Sequence, residues 1–289
     1  MLYTLKNDRL TVQVNSYGAE LFSVKDGDLE YIWQGDEKYW KDRSPMLFPI
    51  CGRLWDGKFT YGGKTYEMGC HGFARKSEFK AEQVSDTELH LVICSDGETK
   101  KSYPFDFTLT VVYRLEGDTL SVSFVIRNDG DTVLPASVGG HPGFNVPLDG
   151  KGSFEDYYLE FGEECSPDEM LLNGAYFSGQ KRGYALEDGK IFRLKHSLFD
   201  LEGVFLTRVA DSITLKSDKS ERSVTVRYPD MPYVGIWQEA KVDAPFICVE
   251  PWSGFAGYYG ADEEIETRSD MFRIQPGKTK VATYSMTFR

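Results

Sequence analysis

The residues in this sequence best suited to acid/base chemistry are two glycine-flanked histidines and one glutamate set against an apolar run. His141 lies in Ser137-Val138-Gly139-Gly140-His141-Pro142-Gly143-Phe144-Asn145, and His71 in Met68-Gly69-Cys70-His71-Gly72-Phe73-Ala74-Arg75. Glycine lets the backbone bend and lets a ligand come close, so both imidazoles have a site-like setting. Glu250 follows Pro245-Phe246-Ile247-Cys248-Val249 and precedes Pro251-Trp252-Ser253-Gly254. Proline removes the next ladder donor, so the spacing predicts that Glu250 stands at a strand end and faces a cleft. An edge-strand charge that opposes aggregation would have the same surroundings. Unperturbed pKa values near 6.5 for imidazole and 4.3 for a glutamate make the pair, at neutral pH, a partly protonated donor facing an ionised acceptor. If the two chain segments meet, they suit proton exchange at two oxygens of one small molecule.

No competing chemistry is written in the chain. A nucleophilic serine elbow, a P-loop, a dinucleotide fingerprint and an HExxH motif are all missing from the sequence. The five cysteines, at 51, 70, 94, 165 and 248, include no CxxC and read as reduced, mostly buried thiols. A metal site from Cys51, Cys70 and His71 matches no familiar ligand spacing, so neither metal nor cofactor is expected. With 33 basic against 45 acidic side chains, the formal charge is −12, which makes nucleic acid and anionic membrane poor partners. Met1 to Leu10 has no apolar signal core, and no run approaches the roughly 18 apolar residues of a spanning helix, so a soluble, cytoplasmic protein is expected. The indoles of Trp237 and Trp252 offer stacking faces to a sugar ring, and the set points to cofactor-free carbohydrate chemistry.

The elements that must position these residues read as strands. Leu120, Val122, Phe124 and Ile126 alternate with polar neighbours, and Leu109, Val111, Tyr113 and Leu115 do the same. Thr4 to Lys6, Leu10 to Asn15, Ala19 to Lys25 and Leu29 to Trp33 are short extended runs at meander spacing, and Gly62-Gly63 turns a hairpin between Lys58–Tyr61 and Lys64–Glu67. Gly35 to Arg43, with Trp40, could hold a turn or two of helix, and no longer helix is predicted. Pro147 to Arg193 lacks periodicity and reads as an excursion across one end of a sandwich. The pattern is that of one all-β sandwich or barrel over residues 1–289. His196-Ser197-Leu198-Phe199-Asp200-Leu201-Glu202-Gly203-Val204 places two carboxylates in apolar sequence, where ionised groups need partners.

Four separated motifs, in order over nearly the full chain, resemble those of the aldose 1-epimerase (galactose mutarotase) family, and most closely its LacX-like branch. They are Cys51-Gly52-Arg53, Cys70-His71-Gly72-Phe73-Ala74-Arg75, Gly139-Gly140-His141-Pro142-Gly143-Phe144-Asn145, and Cys248-Val249-Glu250-Pro251-Trp252-Ser253-Gly254, the last preceded by Val234-Gly235-Ile236-Trp237. The resemblance implies a large antiparallel β-sandwich (the galactose mutarotase-like supersandwich) with little helix. It also implies a concave face that binds a free aldohexose and interconverts its α and β anomers. Position by position, His141 is similar to the family's general acid and Glu250 to its general base. Arg53 and His71 match residues that hold sugar hydroxyls and the ring oxygen, Trp237 is a stacking candidate, and either Asp200 or Glu202, with Asp200 favoured, stands near the binding carboxylate. A hexose 6-phosphate 1-epimerase, with a phosphate clamp near Arg53, Arg75 or Lys76, and a non-catalytic sugar-binding module are the rival expectations.

Overall fold

The structure, a computed structural model, describes residues 1–255 and 257–289. Its two large sheets are antiparallel. One has nine strands, with Thr279–Phe288, Thr119–Asn128 and Phe107–Glu116 side by side near its middle. The other has eight, in which Tyr233–Trp237, Phe246–Trp252 and Gly139–Gly140 are consecutive neighbours. Strands Leu2–Lys6, Leu10–Asn15, Glu20–Asp26 and Leu29–Glu30 form a separate four-stranded sheet. The predicted hairpin at Gly62-Gly63 is present, with both glycines at positive φ. Thr99–Ser102 is the one α-helical turn among the described residues, and no helix is long and apolar enough to cross a membrane. Gly35 to Arg43 forms no helix; an Asp36–Trp40 bridge closes it instead.

Alternation decides what each sheet buries. Leu120, Val122, Phe124 and Ile126 point from one strand into a hydrophobic cluster that runs in sequence from Leu5 to Phe288. The eight-stranded sheet contributes Val234, Ile236, Ile247 and Val249 to the same cluster. Each such side chain, fully buried, contributes about 1.5–3 kcal/mol. The two sheets touch at Gly140, where an added Cβ would lie 2.6 Å from the Tyr284 ring of the nine-stranded sheet. The opposite face of the eight-stranded sheet carries Phe246, Cys248, Glu250 and Trp252, which therefore look away from the core.

Leu134–Ala136, which leads into the His141 segment, is pinned by a buried phenol: the Tyr103 hydroxyl donates to the Pro135 carbonyl at 2.6 Å. Burial pushes that phenol well above its ordinary pKa, so it stays a neutral donor. Tyr103→Phe leaves the carbonyl without this partner and is expected to cost about 1–2 kcal/mol, read as a lower midpoint in urea. An unchanged midpoint would show that the bond contributes nothing.

Candidate active site

The sheet register brings His141 to Glu250. Gly139 pairs with Trp252 and Gly143 with Cys248, so the residues between them in the same register, His141 and Glu250, lie opposite each other. Directly opposed residues of an antiparallel pair share a face, with Cβ atoms about 4.5–5.5 Å apart. The side chains accordingly meet, with His141 Nε2 3.2 Å from Glu250 Oε2.

Glycine at 139 and 143 makes room for that face. A Cβ at 139 would lie 2.8 Å from the Trp252 ring, and one at 143 would lie 2.9 Å from Trp40. Trp40 stacks on His141 at 5.0 Å between ring centroids, and Trp252 meets the His71 ring edge-on at 5.8 Å. On the other flank of Phe246–Trp252, the partner row reads Tyr233, Gly235, Trp237, opposite Trp252, Glu250 and Cys248 in turn. The gap at Gly235 is taken by the Phe205 ring, which an added Cβ there would meet at 3.1 Å, so Glu250 stands among aromatics and is 1% exposed. Trp237 meets the His141 ring edge-on at 5.5 Å.

Pro251 does not end the strand, contrary to the sequence expectation: it pairs with Val234 inside Phe246–Trp252. The N–H groups of Val249 and Ser253 reach across to Pro142 and Val138. The donor that Pro251 lacks would have pointed the same way, at Gly140, the last residue of Gly139–Gly140 before the break that precedes Gly143–Asn145. Glu250 faces the cleft through strand alternation rather than through chain exit.

His141 and Glu250 line a cavity of about 340 Å³, near the lower end of the range for small-molecule sites, about 300–1,000 Å³. Arg53, His71, Trp237 and Trp252 line it as well. Asp200 does not: it is exposed at the end of the turn His196–Phe199, while Glu202 lines the cavity. Strand alternation cannot distinguish two carboxylates in a loop, and only the path of that loop separates them. Trp40, Cys70, Phe205 and Glu239 also line the cavity, and the sequence reading gave none of them a sugar-contacting role; Arg75, named there only as a candidate phosphate clamp, lines it too. Trp40 sits in a segment with no period, and Phe205 looked like an ordinary strand residue.

His71 is held in a left-handed conformation, φ +63°. Its backbone N–H donates to the Gly52 carbonyl at 2.7 Å, and Gly52 N–H donates back to His71 Nδ1 at 3.0 Å. With Nδ1 accepting, the neutral ring carries its proton on Nε2. Burial, aided by the charge of nearby His141 and Arg75, keeps the ring neutral, well below the ordinary histidine pKa. The Arg53 guanidinium faces the Cys70 sulfur, and Arg75 is paired with Asp42.

Burial also changes the charge states expected from unperturbed values. Loss of water pushes Glu250 well above the usual carboxylate range, against the pull of the Trp252 indole and with a smaller push from the Glu202 charge. The same desolvation, with the Arg75 charge, pulls His141 down to about 3. Neither residue favours a lone charge here. A neutral couple and an ion pair both have zero net charge, so either form gives the pair one exchangeable proton in total. His141 Nδ1 and Glu250 Oε2 are buried with no hydrogen-bond partner among the described residues.

The five cysteines are unpaired; Cys51 and Cys248 are buried, Cys70 and Cys165 half-buried, and Cys94 exposed.

Comparison with known proteins assigns the chain to a family. The sequence profile of the family described as "Aldose 1-epimerase" matches residues 1–276. Protein LacX (chromosomal) of Lactococcus lactis is 35% identical over 297 residues, covering 99% of each chain. A galactose mutarotase related enzyme from Lactobacillus acidophilus superposes with a TM-score of 0.95 at 33% identity, covering 100% of this chain and 97% of that one. A galactose mutarotase-like protein from Lactobacillus casei gives 0.94 at 32%, covering 100% of both. The profile match and the near-complete coverage at these identities place the chain in the aldose 1-epimerase family.

Proposed function

We propose that this protein interconverts the α and β anomers of a free aldohexose by acid/base ring opening and reclosure, with Glu250 and His141 as the catalytic pair. The observation that carries this reading is the 3.2 Å approach of His141 Nε2 to Glu250 Oε2 in the lining of the cavity. Two groups that close together suit two oxygens bonded to one carbon, the anomeric hydroxyl and the ring oxygen. In the ion-pair form, Glu250 takes the anomeric hydroxyl proton while His141 gives its proton to the ring oxygen. The bond from C1 to the ring oxygen breaks and C1 becomes the aldehyde carbon. Glu250 is then protonated and His141 neutral, which is the other zero-charge form of the couple. Rotation about the C1–C2 bond presents the opposite face, and the reverse transfers close the ring as the other anomer. The buried couple changes tautomer but not net charge, so no step leaves an unbalanced charge in low dielectric.

The remaining groups have binding roles in this reading. His71 Nε2–H and the Arg53 guanidinium donate to sugar oxygens, Glu202 accepts from hydroxyls, and Trp237 stacks on the ring face. Polarimetry of freshly dissolved α-glucose or α-galactose tests the proposal. Sugar binding without faster anomerisation would overturn it in favour of a binding module.

A phosphorylated sugar fits less well. Of the two guanidiniums in the wall, Arg75 is already paired with Asp42, and Glu202 and Glu239 add negative charge. Free glucose is therefore expected to exceed glucose 6-phosphate in kcat/KM by about ten-fold or more, ~1.4 kcal/mol in transition-state binding. A preference for the phosphate in the same assay would reassign the substrate.

A further inference from the structure

A thiol stands directly behind the proposed catalytic pair. Cys248 and Glu250 are two residues apart on one strand and share its outer face. The Cys248 sulfur, His141 Nε2 and a Glu250 oxygen all lie within 4.8 Å of one another, and all three side chains are buried. The Glu250 Oε2 atom has no hydrogen-bond partner among the described residues, although its side chain is 1% exposed. Trp237, paired across the sheet with Cys248, and Phe246 pack in one apolar cluster with the thiol, which lies beneath the cavity wall that His141 and Glu250 line.

We propose that His141, Cys248 and Glu250 form an inhibitory site for a thiophilic divalent cation such as Zn²⁺ or Cd²⁺. Imidazole nitrogen, thiolate sulfur and carboxylate oxygen are the donor types such ions take, and three protein ligands leave a position open to the cavity. Bond lengths of about 2.0–2.3 Å bring ligand atoms to roughly 3.5 Å from each other, so the trio contracts by about an ångström at its widest. Burial and the Glu250 charge push the Cys248 thiol well above its ordinary pKa, so the ion itself must displace that proton. Binding expels two protons, one from the Cys248 thiol and one from the His141–Glu250 couple. A dication then faces one thiolate, one carboxylate and one neutral imidazole. The filled site is neutral, which is what a buried site tolerates. The ion also takes the very proton that ring opening uses, so occupancy stops turnover. That last consequence rests on the proposed mutarotase reading; binding itself does not.

Cadmium titration of the full-length protein separates the two claims. A thiolate-to-cadmium charge-transfer absorption is expected to saturate at one equivalent, with the stoichiometry confirmed by calorimetry. The band should vanish in Cys248→Ala and persist in Cys70→Ala, with thermal melts reporting that each variant is folded; Cys248→Val serves if the alanine variant is not. Loss of a ligand should raise the inhibitory Zn²⁺ concentration at least by the roughly 10–100-fold that losing an outer partner costs, and a chelator should restore wild-type rates. An unchanged band and unchanged inhibition in the Cys248 variants, or no binding at micromolar cadmium, overturns the site. A wild-type protein that shows the band but never accelerates anomerisation sinks the proposed function and leaves the metal site standing.

Discussion

Glu250→Gln is expected to lower kcat for anomerisation by about 10²–10⁴-fold, ~2.7–5.5 kcal/mol of transition-state stabilisation, while sugar affinity changes by no more than a few-fold. Glutamine keeps the shape of the side chain and can still accept from the anomeric hydroxyl, but it cannot carry the proton away. The same substitution should make the protein more stable at neutral pH. The folded pKa of Glu250 is raised above its unfolded value by burial. A raised carboxylate stabilises the fold fully below the unfolded pKa, and that contribution is lost as pH rises through the folded pKa. Glutamine never pays for ionisation, so its melting-temperature advantage should grow from about pH 4 toward pH 8 and amount to a few degrees, at ~2–4 °C per kcal/mol for a chain of this order. His141 acts on the acid side with the opposite sign. Its pKa, pulled down to about 3, gives stability that is present above the ordinary histidine value and lost as pH falls toward 3. Wild-type rates in Glu250→Gln would remove the carboxylate from the mechanism. A melting advantage that shrinks rather than grows between pH 4 and pH 8 would mean the carboxylate is not desolvated.

The physics that positions this pair explains what could be read from the sequence. Strands such as Thr119–Asn128 bury one face, so their period of two is printed in residue type. His141 and Glu250 stood out because glycines and an apolar run around a titratable group are costly unless used. Their meeting, however, depends on a register between segments more than a hundred residues apart, which no local pattern encodes. Proline at 251 was misread for a related reason: one missing donor does not end a strand held on both flanks, and here the loss falls opposite Gly140, where the two-residue strand Gly139–Gly140 stops, while Val234 pairs with Pro251 on the other side. The span Pro147 to Arg193 looked irregular, yet it holds four strands shared between both large sheets, Tyr157–Phe161, Asp168–Asn173, Tyr176–Gly183 and Ile191–Arg193. Most side chains of Tyr176–Gly183 are exposed, so burial never imposes alternation on it. Loop carboxylates are harder still. Asp200 and Glu202 differ by where a turn ends, and burial puts no mark on either.

Gly72→Ala should be among the most damaging single-methyl additions in the chain. Gly72 has φ +75°, in the left-handed region, and follows His71, which is itself left-handed at φ +63°. An alanine there carries the ~1–2 kcal/mol cost of that conformation for an L-residue. Collision adds more: its Cβ would lie 2.1 Å from the Phe48 carbonyl oxygen and 2.5 Å from the Phe48 carbonyl carbon. These are backbone atoms that cannot rotate away. The Phe48 carbonyl also accepts from Phe73 and Ala74, and Phe48 N–H donates to the His71 carbonyl. Relief therefore means separating the His71 segment from the Phe48 segment, which carries Gly52 and Arg53 four and five residues on. A loss above about 3 kcal/mol is expected, together with a fall in kcat/KM in whatever fraction remains folded, because His71 loses the Gly52 donor that fixes its tautomer. Gly69→Ala is the matched control, since nothing lies within 4 Å of its added Cβ and its φ is not left-handed; it should stay within about 0.5 kcal/mol of wild type. Melting temperature and kcat/KM measured on both variants decide the matter: if Gly72→Ala behaves like Gly69→Ala, the packing of the His71 turn against Phe48 does not position the cavity wall.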